Sequence, residues 1–130
     1  MAEAVARVAR KVNEVVENGE SHLDLSECSL NAFPIGLYVV IGSAAQGIHS
    51  ITLANNEIKA LTNKFFDVFT QLQVLNLEGN ILQQLPDEVS NLGQLKSINL
   101  SKNKIKDFPR NLLDVNTLES INLEGNQIKD

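Results

Sequence analysis

The sequence predicts an α/β solenoid. It would be a right-handed β-α superhelix with short parallel strands on the concave face, a mostly irregular or 3-10 convex side, and an N-terminal capping helix. Two observations carry this. A segment of the form L-x-x-L-x-L-x-x-N-x-L recurs from about residue 20 to the end, as Ile48–Ile58, Leu72–Leu82, Leu95–Ile105 and Leu118–Ile128, after a degenerate first copy, Glu20–Leu30, with Cys28 in place of the Asn. The stretch before it carries apolar residues at helical spacing instead. In a 130-residue chain of this kind each unit buries its apolar face against its neighbours, so the array is one structural unit.

Residues 1–19 form the cap. Over Ala2–Glu17 the residues Val5, Val8, Val12, Val15 and Val16 follow the i, i+3, i+4 rhythm, while Arg7, Arg10, Lys11, Glu14 and Glu17 fall mainly on the other side. Asn18–Gly19 is a suitable stop, since glycine readily takes the left-handed conformation that ends a helix. Glu3, Glu14 and Glu17 argue against a transit peptide, and charges interrupt any secretory apolar run. A cover for the first repeat is the simpler reading.

Residues 20–130 are the array, about five repeats with the last truncated. Successive ninth positions, Cys28, Asn56, Asn80, Asn103 and Asn126, are separated by 28, 24, 23 and 23 residues. The first, fourth and sixth positions of each segment point inward from a short strand. The ninth-position amides should form an internal ladder that bonds adjacent turns, with Cys28 filling the first slot as a small buried thiol. On the convex side Leu85–Pro86 precedes Val89, Leu92 and Leu95, and Phe108–Pro109 precedes Leu112, Val115 and Leu118. Here proline starts the turn and every third residue faces the core. The second repeat has Leu61–Thr62 instead, followed by Phe65, Phe66 and Phe69. The first is lengthened by Pro34–Gly47, whose first half should be a short helix and whose Gly42–Gly47 should be a loop. At the other end Leu118, Ile121, Leu123 and Ile128 should leave one edge of their core facing water, beside an unpaired strand. The expectation is a fragment, a short form, or an open end that meets a second copy.

The third, fifth and seventh positions of each segment point outward, and in parallel strands each becomes a column across the sheet. The third-position column is His22, Ser50, Val74, Ser97 and Ser120; the fifth is Asp24, Thr52, Asn76, Asn99 and Asn122; the seventh is Ser26, Ala54, Glu78, Ser101 and Glu124. This surface has neither aromatic residues nor Arg, the usual interface anchors. The functional reading is a protein-binding groove formed by His22, Asp24, Ser50, Thr52, Asn76, Glu78, Asn99, Ser101, Asn122 and Glu124, with Asn76, Asn99 and Asn122 at its centre. Arg at these three positions should abolish capture of the partner and leave the fold intact. The alternative is that the columns only keep the sheet soluble.

The net charge of −5 disfavours nucleic acid and anionic membrane as partners, and no stretch approaches a membrane span. One cysteine allows no internal disulfide. No metal-ligand spacing, phosphate loop or nucleophile–base pair emerges: the register buries Cys28 while His22 points out, and His22, Asp24 and His49 read as solvated edge residues. No cofactor, no metal and no catalysis are expected.

The Leu72–Leu95 and Leu95–Leu118 repeats resemble the 23-residue intracellular class of the leucine-rich repeat family, with Leu-Pro after the Asn segment. The resemblance spans residues 20–130 and implies a scaffold that binds signalling proteins. It also implies an intracellular chain, cytosolic or nuclear with the cytoplasm as the first expectation, since extracellular members close their ends with disulfide-rich caps; the Asn99–Ser101 sequon would then stay unglycosylated. The order of AVARVARKVNEVVE, FPIGLY and ITLANNEIKALT is similar to one small intracellular family of that class, whose members continue through a further repeat and a C-terminal cap. The leading reading is a non-catalytic interaction module with an unidentified protein partner on its concave face. The second is a self-assembly element that dimerises through Leu118, Ile121, Leu123 and Ile128.

Overall fold

A computed structural model describes residues 2–129, with side chains from Val5 onward. Helix α1 (Ala2–Asn18) leads into a sheet of five three-residue strands: β1 (His22–Asp24), β2 (Ser50–Thr52), β3 (Val74–Asn76), β4 (Ser97–Asn99) and β5 (Ser120–Asn122). All neighbours are parallel and the spatial order is the chain order. The convex side holds α2 (Gly36–Ile41), α3 (Asn63–Val68) and 3-10 turns at Gly42–Gly47, Asp87–Asn91 and Arg110–Asp114. The fold class read from the repeat is therefore the one observed.

The repeat positions explain the core. Fourth-position Leu23, Ile51, Leu75 and Ile98 are no more than 1% exposed, and sixth-position Leu25, Leu53, Leu77 and Leu100 are fully buried. Between strand and ninth position the chain must reverse inward, and the eighth residue takes a left-handed conformation in every repeat: Glu27, Asn55, Gly79, Lys102 and Gly125 have φ from 53° to 73°. Glycine suits two of these positions, and at Gly79 a Cβ would lie 2.3 Å from Asn55 Oδ1. Glu27 and Lys102 adopt the same conformation against their own steric preference.

Convex packing differs along the array. In the first two repeats Phe33, Phe65, Phe66 and Phe69 build an aromatic cluster, with ring centroids 5.0–5.6 Å apart at mostly steep angles. Tyr38 closes it from outside, 5.0 Å from Phe33, and burial pushes its hydroxyl up to about 12. Later repeats replace the rings with Val89, Leu92, Leu112 and Val115 on tighter 3-10 turns.

Two sequence expectations need correction. Gly42–Gly47 is a 3-10 turn and not a loop, because Ala45 is buried and its carbonyl accepts the Ile48 N–H at 3.2 Å. The apolar face of α1 is also shorter than the valine rhythm implies. Val8, Val12 and Val15 are buried, but Val16 is only half-buried and Val5 is 71% exposed. The first repeat covers the helix from its second turn onward.

The cap does more than cover apolar surface. Inside the array each sixth-position N–H donates to the fifth-position carbonyl of the next repeat, as in Leu25 to Thr52 (2.9 Å) and Leu53 to Asn76 (2.8 Å). The Asp24 carbonyl has no preceding repeat to supply that donor, and Lys11 Nζ donates to it at 3.3 Å. Arg7 likewise donates to the Glu27 carbonyl. Lys11 thus stands in for the donor of a preceding strand, whereas Arg7 meets an eighth-position carbonyl that, among the described residues, neighbouring repeats leave unbonded. At the far edge Leu118, Ile121, Leu123 and Ile128 are only partly buried. Among the described residues nothing accepts from the N–H of Leu123 or Gly125.

Candidate protein-binding face

Strand pairing brings the predicted columns together. His22, Ser50, Val74, Ser97 and Ser120 align in register, as do Asp24, Thr52, Asn76, Asn99 and Asn122. At the usual strand spacing each row spans roughly 20 Å. Val74 is 42% exposed at the centre of the first row. His22 Nδ1 meets Ser50 Oγ at 2.8 Å; among the described residues the hydroxyls of Ser97 and Ser120 make no bond within the chain, though their N–H groups donate to the Gln73 and Lys96 carbonyls.

The fifth-position column has a second task that the repeat spacing does not reveal. Each of its five side chains turns back and accepts the N–H of the residue two places on. Asp24 accepts from Ser26, Thr52 from Ala54, Asn76 from Glu78, Asn99 from Ser101 and Asn122 from Glu124, at 2.9–3.2 Å. This turn chemistry carries the chain out of the strand, and it needs a short side chain with an acceptor oxygen at Oδ1, as in Asn and Asp, or at Oγ, as in Thr. The Asn amide oxygens are thus committed internally, and their N–H₂ groups remain to face outward. Asn99 Nδ2 leans toward Glu78 Oε1 at 3.5 Å. For Asp24, burial pushes the carboxyl up. The hydroxyl and N–H of Ser26, with the charges of Lys11 and His22, outweigh that and hold it below its ordinary value.

The seventh-position column is uneven. Glu124 is exposed and Glu78 half-buried, and Glu78 pairs with Lys102 at 3.7 Å. Ser101, expected on the open face, is 5% exposed, with its hydroxyl donating to Asn99 Oδ1 at 2.6 Å. A serine is too short to reach past the turn that Asn99 closes, so Ser101 belongs to the scaffold.

The ninth-position ladder forms as the spacing implies. Asn80 accepts from Ile58 N–H (3.0 Å) and donates to the Leu53 and Leu77 carbonyls (2.9 and 3.1 Å). Asn103 repeats this with Leu82, Leu77 and Leu100, and Asn126 with Ile105, Leu100 and Leu123. Asn56 accepts from two N–H groups, those of Cys28 and Leu30, each at 2.9 Å. Cys28 in its own slot makes one weak contact, Sγ to the Ser26 carbonyl at 3.3 Å. Its sulfur is buried and His22 is exposed, so the two do not meet. Among the described residues no three His, Cys, Asp or Glu side chains are grouped to hold a metal, and no helix is long and apolar enough to cross a membrane.

This geometry has counterparts. The family model described as "Leucine rich repeat" matches residues 70–128. Leucine-rich repeat-containing protein 20 of Homo sapiens is 62% identical over 92 residues, covering 71% of this chain and 50% of that protein. The Mus musculus protein of the same name is 60% identical over the same shares. The chain spans about half the length of these curated relatives. Among solved structures, the leucine-rich repeat domain of the type III effector XopL superposes with a TM-score of 0.77 at 20% identity, over 97% of this chain and 44% of that one. A leucine-rich repeat protein of Leptospira interrogans gives 0.68 at 21%, over 88% and 34%. At that identity the structures speak for the fold alone.

Proposed function

The chain belongs to the leucine-rich repeat family, and on that premise we propose that it is a non-catalytic interaction module that binds a protein partner on its concave face. The observation that carries this is the third-position row. Its side chains are held in strict register and, at Val74, Ser97 and Ser120, are free of the internal bonds that occupy the fifth-position row. The row is flat and has no large anchor, so the partner supplies the bulky side chains and this face supplies shape and the outward amide N–H groups of Asn76, Asn99 and Asn122. The reading places the chain inside the cell, with neither nucleic acid nor membrane as its partner.

Arg at Asn76, Asn99 and Asn122 would confound the test, because each change also removes a turn hydrogen bond. The cleaner variant is Val74→Arg with Ser97→Arg. Captured prey should be lost with these two changes while the unfolding midpoint stays within a few degrees; prey retained by the folded variant would sink the reading.

A second reading rests on the far edge. The free N–H groups of Leu123 and Gly125, beside half-buried Leu118, Ile121, Leu123 and Ile128, suit strand addition by another copy. Sedimentation over a wide concentration range decides it: a strictly monomeric mass removes self-assembly.

A further inference from the structure

The lengthened first repeat leaves an apolar hollow on the convex side, away from the columns. Phe33, Tyr38, Ala60 and Lys64 are among the residues lining a cavity of 320 Å³. Ile35, just before α2, also lines it, and Val39 follows four residues on within α2; they are 84% and 86% exposed. The opposite side of the same helix is spent on the core, where Leu37 and Ile41 are buried. An isolated exposed valine needs no explanation, but a paired aliphatic ridge bordering an aromatic-walled hollow is a surface suited to being covered.

The charge at the rim narrows what covers it. Lys64 is the only ionisable cation lining the hollow, and its ammonium lies 5.5 Å from the Tyr38 ring centre. The single ion pair among the described residues is Lys102–Glu78, so Lys64 has no carboxylate partner. On a chain with net charge −5, this leaves an unpaired cation held over an apolar site. Lys64 is exposed, so an arriving carboxylate can reach its ammonium without displacing any residue of the chain, and the pair would set a preference more than an affinity.

We propose that the hollow between Phe33, Tyr38 and Ala60, with the Ile35–Val39 ridge, is a second docking site. It takes a short segment of another protein that inserts a bulky apolar side chain and places a neighbouring Asp or Glu on Lys64. The apolar side chain supplies the affinity and the ion pair supplies the preference for an acidic segment.

The test is selection of displayed random short peptides against the whole chain, followed by titration of the recovered synthetic peptide into isotope-labelled protein. Recovered sequences should combine Leu, Ile or Phe with Asp or Glu, and should shift the methyl resonances of Ile35, Val39 and Ala60. Val39→Asp should weaken binding about tenfold or more. Lys64→Glu should do likewise, and a peptide whose acid is changed to Lys should regain affinity for that variant. Both positions are exposed, so both variants should keep the parent's unfolding midpoint. The proposal is overturned if no peptide is recovered, if the shifts fall only on the concave face, or if Lys64→Glu leaves the acidic preference unchanged. Self-association of the protein alone that Val39→Asp abolishes would also overturn it, because a second copy would then be the occupant.

Discussion

The two edges of the sheet are built from the same repeat and meet different fates. At the first edge β1 lies against α1, and Leu23 and Leu25 are fully buried. At the fifth, Ile121 and Leu123 occupy the corresponding positions and remain half-exposed. The backbone tells the same story: Lys11 and Arg7 meet carbonyls at the first edge, while among the described residues the N–H groups of Leu123 and Gly125 are unmet at the other. Aliphatic residues at identical positions therefore differ in energetic weight. In a solenoid that weight is set by whether a neighbour lies on both sides.

The largest expected effect sharpens this directly. Ile98→Ala should destabilise the fold by about 3–4 kcal/mol and Ile121→Ala by about 1–2, because only Ile98 is enclosed on both sides. Equal losses in denaturant unfolding would break the comparison. The ladder should follow the same gradient. Asn103→Ala leaves buried carbonyls and an N–H unpaired and should cost about 2–3 kcal/mol, against about 1 for the half-buried Asn126→Ala.

At the capped edge, Lys11→Met keeps the aliphatic stem and removes the donor to Asp24, and should cost about 0.5–1 kcal/mol. No change would mean that the cap acts through its valines alone. The smallest effect is pH dependence. The Asp24 carboxyl is held below its ordinary 3.8, so its contribution is present above that pH and is lost as pH falls through the lower folded value. Asp24→Asn should keep the turn, since Asn performs it at Asn76, Asn99 and Asn122, and should remove that dependence. An acid limb unchanged in the variant would assign the effect elsewhere.

Much of the molecule was legible in advance where one residue type has one task. Leucine and isoleucine at the first, fourth and sixth positions have nowhere to go but inward, and asparagine at the ninth has backbone partners at fixed offsets. The candidate site was legible only as a direction. The spacing places Asn76, Asn99 and Ser101 outward, yet cannot say that a short polar side chain folds back onto its own turn. It likewise carries no mark that Glu27 and Lys102 take left-handed backbone, because glycine and asparagine are the residues that signal it.

By itself the sequence determined the solenoid, the strand register, the internal ladder and the capping helix, since a fixed period assigns every side chain a direction. The tertiary structure alone decided which outward groups remain free for a partner. It also decided that Ile35 and Val39 face water beside the aromatic cluster, and that Lys11 completes the first edge. Direction is a local property of the chain, whereas burial and hydrogen-bond completion depend on what stands opposite.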